Sequence, residues 1–293
     1  MQLRPQLLRK KKIPPRPDVL ADFDAETAKQ YGAACLAGVD EAGRGPLAGP
    51  VVACAAFVPP SAVPLLSGIR DSKLLSAGKR ERFFYEMKSA GVCFRMGFSL
   101  AGEIDAINIL QATFSAMRMA VAGLMKSEVR SASEAKSQSS DIRPLTSDLV
   151  SQPSVLSPDF IVLVDGPHKI PGLALRQLAV VDGDARSLCV ACASVCAKVL
   201  RDRWMCVLDL KFPGYGFASH KGYGTAAHMK ALELLGPSPV HRMSFAPVAA
   251  AQTGVTRHQV NTSQITRTPR HKFNSAQVSN IFRHTSSADL PKP

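Results

Sequence analysis

Two adjacent acidic residues, Asp40 and Glu41, stand at the end of an apolar run and just before a glycine-rich turn that carries Arg44. Neighbouring side chains on a strand point to opposite faces, so the two carboxylates cannot both be buried in one core. A charge taken out of solvent needs a compensating cation. The pattern therefore indicates a hard metal ion beside backbone that can approach a ligand closely, which suits phosphate chemistry.

Two more acids, Asp165 and Asp184, also follow short apolar runs. A single acid after a strand is usually a turn residue or a helix cap, and Asp184 suits that role, with Asp182 only two residues away. Four acids at the ends of neighbouring strands are harder to explain, because clustered carboxylates repel one another unless a cation neutralises them. Such a cluster suits Mg²⁺, and two ions about 4 Å apart would activate a water and stabilise the leaving oxygen of a phosphodiester.

The elements that position these acids follow from the alternation of short apolar runs with helical patterns, which predicts an α/β layer fold. Strands are expected at 34–39, 51–58, 92–100, 160–164 and 178–181. Helices are expected at 25–31, 76–88 with Ser76 as N-cap, 101–125, about 185–210, and 225–235. In such folds functional sites gather at strand ends, which is where the acids stand.

The chain also contains segments that do not carry the pattern of a folded core. Residues 126–158 are serine-rich and predict a flexible insertion within a single domain spanning 23–249. The basic segments 1–22 and 250–293 supply most of the net charge of +13 and predict disordered tails. These tails are either solvated ends or arms that gain affinity for nucleic acid by counterion release.

Cysteine usage and hydropathy predict a cytoplasmic protein. The seven cysteines are an odd number and no secretory signal precedes them, which favours reduced thiols. No apolar run approaches the roughly 20 residues that span a bilayer, so no membrane partner is expected. Cys189, Cys192 and Cys196 are similar to part of an iron–sulfur ligand run, but their spacing also places them on one face of a small-residue helix as core residues. An iron–sulfur redox protein is thus an alternative.

The segment from Gly38 to Pro46, with the sequence GVDEAGRGP, resembles the signature of ribonuclease HII, the type 2 ribonuclease H. Further blocks in the same order resemble that family: DSKLLS from Asp71, VDG from Val164, GDARS from Gly183 continuing to ASVCAKVLRD from Ala193, FPGYGFASHKGYGT from Phe212 and HRMSF from His241. The resemblance covers about 36–248, apart from the serine-rich segment.

The resemblance implies a ribonuclease H-like fold, a mixed sheet flanked by helices with a small C-terminal helical extension. It implies an endonuclease that cleaves RNA in RNA–DNA hybrids and incises on the 5′ side of single ribonucleotides in duplex DNA, leaving 3′-hydroxyl and 5′-phosphate ends. Its cofactor would be Mg²⁺ or Mn²⁺, and it would act as a monomer, with a replication partner conceivable at one tail. The implied catalytic and metal-binding residues are Asp40, Glu41, Asp165 and Asp184.

The resemblance also implies a substrate-binding set. The turn formed by Gly43, Arg44 and Gly45, together with Tyr223, would read the 2′-hydroxyl that distinguishes a ribonucleotide. Ser72 and Lys73 would hold phosphates, with weaker contacts from Lys198 and Lys221. A nucleic-acid-binding protein with an inactive site is the remaining alternative.

Four histidines need a separate interpretation. His168 departs from the family pattern, because a different polar residue usually follows the Asp-Gly pair. His220, His228 and His241 lack the spacing of a zinc site, so structural polar roles are predicted for them.

Overall fold

A five-stranded mixed sheet forms the centre of the structure, a computed structural model that describes residues 17–66, 75–136 and 160–254. The strands are β1 (Cys35–Ala42), β2 (Val51–Phe57), β3 (Cys93–Ser99), β4 (Phe160–Asp165) and β5 (Arg176–Val180). Their order across the sheet is β3-β2-β1-β4-β5. The first three strands pair antiparallel, whereas β4 runs parallel to both β1 and β5.

Helices cover both faces of the sheet. They are α1 (Pro17–Tyr31), α2 (Ala77–Ser89), α3 (Ala101–Lys136), α4 (Leu188–Lys211), α5 (Phe217–His220), α6 (Ala226–Leu235) and α7 (Ala246–Gly254). Strand β2 divides its side chains between the two faces, because successive side chains alternate. Cys54 packs in the cluster that contains α1, α2 and α4, and Ala53 packs in the cluster that contains α3. The sheet is therefore buried on both sides, as the unbroken apolar runs predict.

Helix α4 lies unusually close to the central strand β1. A Cβ atom built on Gly38 would overlap the backbone of Cys189 and Val190, so this contact requires glycine. The close packing brings one end of α4 and the segment before it to the edge of the sheet at which β1 ends.

Helices α5, α6 and α7 form the small C-terminal helical extension. Phe217 and Tyr215 pack on Trp204 and Met205 of α4, while Leu232 and Val248 form a second cluster with Leu47. The predicted arrangement of a mixed sheet, flanking helices and this extension is confirmed.

Several element boundaries differ from those expected. Helix α1 begins at Pro17 instead of residue 25, so it includes residues 17–22 of the segment predicted as a disordered tail. Helix α7 was not predicted, and it continues to Gly254, beyond residue 250 where the C-terminal tail was expected to begin. Helix α3 continues to Lys136, into the serine-rich segment, and is interrupted at Asn108, where φ is 67° and ψ is 163°. The Asn108 side chain there accepts hydrogen bonds from the amides of Leu110 and Gln111 and so restarts the helix. A 3₁₀ segment at Pro60–Leu66 was not predicted.

The remaining predictions on tails and insertion concern residues 1–16, 137–159 and 255–293, which lie outside the described residues. Among the helices of the described ranges, none combines the length and the apolar character that crossing a bilayer requires. Cys189, Cys192 and Cys196 of α4 pack inside the core between helix and sheet, and burial raises the pKa of each of these three thiols well above its ordinary value. Their predicted role as core residues is confirmed.

Candidate active site

The four predicted metal-binding acids line one cleft of about 440 Å³ at the edge of the sheet where β1 and β4 end. Besides Asp40, Glu41, Asp165 and Asp184, its walls include Gly43, Arg80, Lys198, Arg201, Asp202, Lys221 and Tyr223. The structure therefore brings the acids together with one residue of the glycine-rich turn and with the predicted tyrosine.

The parallel pairing of β1 with β4 places Asp40 beside Asp165. Val39 pairs with Val164, and each of the two aspartates is the next residue of its strand. The carboxyl ends of parallel strands lie at the same edge, so both side chains reach the same cleft. Asp184 arrives from a short 3₁₀ segment at Gly183–Ala185, just after β5.

Asp184, and not its neighbour Asp182, contributes to the cleft. Asp184 is 1% exposed and lines the cleft, whereas Asp182 is exposed and is absent from the lining. Asp182 takes a left-handed conformation with φ of 53°, which aspartate tolerates in tight turns. The conformation carries the chain from β5 into the segment that buries Asp184.

Backbone and side-chain contacts hold the acids in place. Oδ1 of Asp40 accepts a hydrogen bond from the amide of Glu41 at 2.7 Å, and Oδ1 of Asp165 accepts one from the amide of Gly183 at 2.7 Å. Nζ of Lys198 lies 3.8 Å from Oδ2 of Asp40 and also donates to the hydroxyl of Ser194. Lys198, predicted as a phosphate contact, thus faces an acid of the cleft.

Burial and mutual repulsion disfavour the ionised forms of Asp40 and Glu41 and so raise their pKa values. Burial raises the pKa of Asp40 to about 7; Lys198 lowers that pKa, and the charges of Glu41 and Asp165 raise it further. Burial likewise raises the pKa of Glu41, against the lowering effect of Arg44, whose Nη1 lies 3.2 Å from Oε1 of Glu41. A cation in the cleft would favour the ionised forms.

The donor chemistry of the cleft fits a hard divalent cation. All four acids offer carboxylate oxygens, which Mg²⁺ and Mn²⁺ prefer, and among the residues that the structure describes no thiol or imidazole lines the cleft. In the part of the chain that the structure describes, no three His, Cys, Asp or Glu side chains stand in a ready-made metal-binding arrangement. The acids share the cleft without their oxygens converging on one point.

The glycine-rich turn lies against Tyr223. A Cβ atom built on Gly45 would be 3.7 Å from Cε1 of Tyr223, a residue that is 51% exposed. Gly43 has φ of +94°, and a Cβ there would overlap the Arg201 side chain, so this position requires glycine. Arg44 and Gly45 are exposed beside the cleft and are not part of its lining.

Of the other residues singled out in the sequence, one lines the cleft, and the rest lie outside the cleft or outside the described residues. Lys221 lines the cleft, and its Nζ lies 3.4 Å from Sγ of Cys206. Ser72 and Lys73 lie outside the described residues. His168 is exposed and is not part of the cleft.

Three charged cleft residues received no role from the sequence. They are Arg80, Arg201 and Asp202. The last two belong to the block that resembles the family, which was the available signal for them. Arg80 comes from α2 and lies 3.4 Å from Asp202, a tertiary pairing that no local pattern reveals.

A mixed sheet that delivers acids to one cleft at its edge, beside an exposed basic turn, defines a metal-dependent nuclease of the ribonuclease H-like class. Comparison with known proteins agrees. The sequence model of the ribonuclease HII family matches residues 37–248. The chain is 44% identical over 230 residues to Ribonuclease HII of Syntrophobacter fumaroxidans, covering 78% of this chain and 84% of that one. It is 46% identical over 216 residues to Ribonuclease HII of Paracidovorax citrulli, covering 74% and 76%.

The chain belongs to the ribonuclease HII family. It is therefore a metal-dependent ribonuclease of a family that cleaves the RNA of RNA–DNA hybrids. The fold is also similar to the crystal structure of ribonuclease H2 from Pyrococcus horikoshii OT3, with a TM-score of 0.51 and 22% identity, covering 76% of this chain and 99% of that one.

Proposed function

We propose that the chain, besides cleaving RNA in hybrids, incises duplex DNA on the 5′ side of a single embedded ribonucleotide. The products would carry a 3′-hydroxyl and a 5′-phosphate. The observation that carries this proposal is the continuity of the acid cleft with the turn and Tyr223, because Gly43 and Tyr223 line the same cleft as the four acids. A sugar edge read at the turn would lie next to the acids that act on its phosphodiester.

The acids are proposed to hold Mg²⁺ or Mn²⁺, as a pair of ions. Asp40, Glu41, Asp165 and Asp184 would be the ligands, since all four line the cleft. When bound, such ions lower the pKa of a water and offset negative charge on the leaving oxygen. The protein's own part is to bury Asp40 and Asp184, hold Asp40 and Asp165 through backbone amides and keep the acids at one edge of the sheet.

The substrate strand is proposed to lie across the turn and the cleft. The backbone of Gly43–Gly45 and the hydroxyl of Tyr223 would hydrogen-bond the 2′-hydroxyl, which both donates and accepts. Lys221 and Lys198 at the cleft, together with Ser72 and Lys73, would contact phosphates and set the register of the duplex. Phosphate contacts carry no sequence information, so incision should depend on the sugar and not on the base.

An incision assay tests the proposal. The substrate is duplex DNA with one ribonucleotide, incubated with Mg²⁺ or Mn²⁺ and, separately, with EDTA. We expect a single nick 5′ to the ribonucleotide that disappears with EDTA. Cutting of long hybrids without this nick would refute the ribonucleotide-specific part, and no cutting of either substrate would refute the nuclease.

A matched pair of variants identifies the acids. Asp184→Asn should reduce incision by at least about a hundredfold, because a neutral amide is a poor ligand for a hard cation. Asp182→Asn changes the same functional group two residues away, on an exposed side chain outside the cleft, and should leave the rate unchanged. Equal effects of the two substitutions would contradict the assignment.

A further inference from the structure

His241 and Arg242 are adjacent, buried residues in the segment between α6 and α7. Each of them is connected to a different part of the surface proposed to bind the ribonucleotide. We use "reader" for the turn Gly43–Gly45 together with Tyr223. His241 is 1% exposed and Arg242 is 0% exposed. Backbone pairing fixes the segment against the chain that follows the turn, since the amide of Arg242 donates to the carbonyl of Leu47 at 2.9 Å.

Arg242 holds the turn itself. Its Nη2 donates to the carbonyl of Gly43 at 2.5 Å, its Nη1 to that of Arg44 at 2.9 Å, and its Nε to that of Gly49 at 3.1 Å. The planar guanidinium fork fixes the directions of these bonds as well as their lengths. The Cζ atom of Arg242 lies over the ring of Phe245, 5.2 Å from its centroid, and this contact limits the rotation of the guanidinium.

The bonds to Arg242 also decide where the amides of the turn point. In a trans peptide the carbonyl of one residue and the amide of the next point in opposite directions, and the described chain has no cis peptide. The carbonyls of Gly43 and Arg44 point inward to Arg242, so the amides of Arg44 and Gly45 point outward. Arg242 therefore presents two adjacent backbone donors at the surface of the reader, an arrangement suited to a hydroxyl or an anion.

His241 holds the other half of the reader through a second histidine. The amide of Ser238 donates to Nδ1 of His241 at 2.9 Å, so that nitrogen is an acceptor and the proton of the neutral ring is on Nε2. Nε2 of His241 lies 2.9 Å from Nε2 of His228, which must then accept. The His228 proton is accordingly on Nδ1, and it is donated to the carbonyl of Tyr223 at 2.9 Å.

This chain of hydrogen bonds is consistent only when both rings are neutral. Burial lowers the pKa of His241 to about 3, with a further lowering by His228, and burial also lowers the pKa of His228. The carbonyl of Tyr223 additionally accepts from the amide of Thr225 at 2.8 Å. These two hydrogen bonds fix the backbone of Tyr223, while its side chain remains exposed.

We propose that His241 and Arg242 are positioning residues that set the distance and orientation between the two halves of the reader, with His228 as the intermediate contact. The proposal rests on the proposed incision at single ribonucleotides. Because the two residues are adjacent in one backbone segment, neither half of the reader can move without straining the other. Neither residue lines the cleft, so both act through the turn and Tyr223.

Arg242→Lys provides the first test, with Arg203→Lys as its control. A lysine keeps the charge but loses the fork that aligns the carbonyls. Arg203 is also a buried arginine, but it binds Glu81 on α2 and does not touch the reader. The readout is kcat on a single embedded ribonucleotide divided by kcat on a long hybrid, because simple destabilisation lowers both rates together.

We expect Arg242→Lys to lower this ratio by about tenfold or more, since small misplacements near a reacting group are costly, and Arg203→Lys to leave it unchanged. The wild-type protein is assayed first. If it does not incise at single ribonucleotides, the proposed function fails. If it does and the ratio is the same in Arg242→Lys, the positioning role is overturned.

His228 supplies a second test that does not depend on Arg242→Lys folding. His228→Gln keeps one acceptor for His241 and one donor for Tyr223, whereas His228→Leu keeps neither. The ratio should fall in His228→Leu and be largely restored in His228→Gln. Equal ratios in the two variants, with both folded by circular dichroism, would overturn the relay through His228.

Discussion

Nζ of Lys198 lies 3.8 Å from Oδ2 of Asp40, so a cation of the protein itself faces a buried acid of the cleft. Lys198 stands on α4, and α4 reaches this position because Gly38 lets it pack closely on β1. The position of the Lys198 charge beside Asp40 therefore depends on how closely α4 packs against β1. It also implies that a divalent cation would share Asp40 with Lys198.

The Lys198–Asp40 pair predicts a measurable titration. In metal-free protein kept in EDTA, the Asp40 carboxyl should titrate near the pKa of about 7 set mainly by burial. Lys198→Met removes the charge that lowers this pKa, so the pKa should rise. Carboxyl ¹³C chemical shifts followed against pH measure it. Lys221→Met removes another cleft lysine, whose Nζ contacts Sγ of Cys206, and it should leave the titration unchanged. An unshifted pKa in Lys198→Met would contradict the prediction.

Gly38→Ala should destabilise the protein by about 3 kcal/mol or more. Its Cβ would overlap the backbone of Cys189 and Val190, which cannot move aside as a side chain can. The measurement is the free energy of unfolding in urea. Gly78→Ala, on α2 with open space around the new methyl, is the control and should be neutral or stabilising by up to about 1 kcal/mol. Similar values for both variants would show that α4 is not held by this contact.

Asp24 predicts a pH dependence of stability. Its Oδ2 accepts a hydrogen bond from the amide of Cys189 at 2.9 Å, yet burial raises its pKa above the ordinary value. A raised pKa in the folded state means that the stabilisation from this carboxyl is complete below its unfolded pKa. It is lost as pH rises through the folded pKa.

Asp24→Asn should remove this pH-dependent contribution. The free energy of unfolding of Asp24→Asn minus that of the wild type should increase from pH 4 to neutral pH. Urea titration at each pH measures this difference. Asp22→Asn, on an exposed position of the same helix, is the control and should show no such trend. A difference that stays constant with pH would show that Asp24 keeps an ordinary pKa in the folded protein.

The sequence predicted the acids of the cleft better than it predicted what supports them. Asp40 and Asp165 end unbroken apolar runs, and such runs are typical of parallel strands whose carboxyl ends meet at one edge. Those two positions thus followed from local patterns. The boundaries of α1 did not, although Pro17 at its first position is a known signal for a helix start.

The HRMSF block marked His241 and Arg242, and structural polar roles were predicted for His228 and His241, but the contacts of these residues were beyond prediction for a physical reason. Arg242 bonds to the carbonyls of Gly43 and Gly49, nearly 200 positions away along the chain. Backbone carbonyls are present at every residue, so a partner of this kind leaves no residue type or spacing to recognise. The same holds for the contact of His228 with the Tyr223 carbonyl. Local patterns predicted which groups would do chemistry, and only the fold shows what holds them.

Tyr223→Phe isolates the hydroxyl of the reader. The ring is exposed and its backbone is held independently, so removing the hydroxyl should leave the fold intact. Incision at a single ribonucleotide should fall by roughly tenfold to a hundredfold, the value of one or two hydrogen bonds to a bound hydroxyl. Cleavage of a long hybrid should fall less, because many phosphate contacts also hold that substrate. Tyr31→Phe, an exposed tyrosine at the end of α1 and outside the cleft, is the control and should change neither rate. An equal loss on both substrates in Tyr223→Phe would mean that the hydroxyl supports the cleft as a whole and does not read the ribonucleotide.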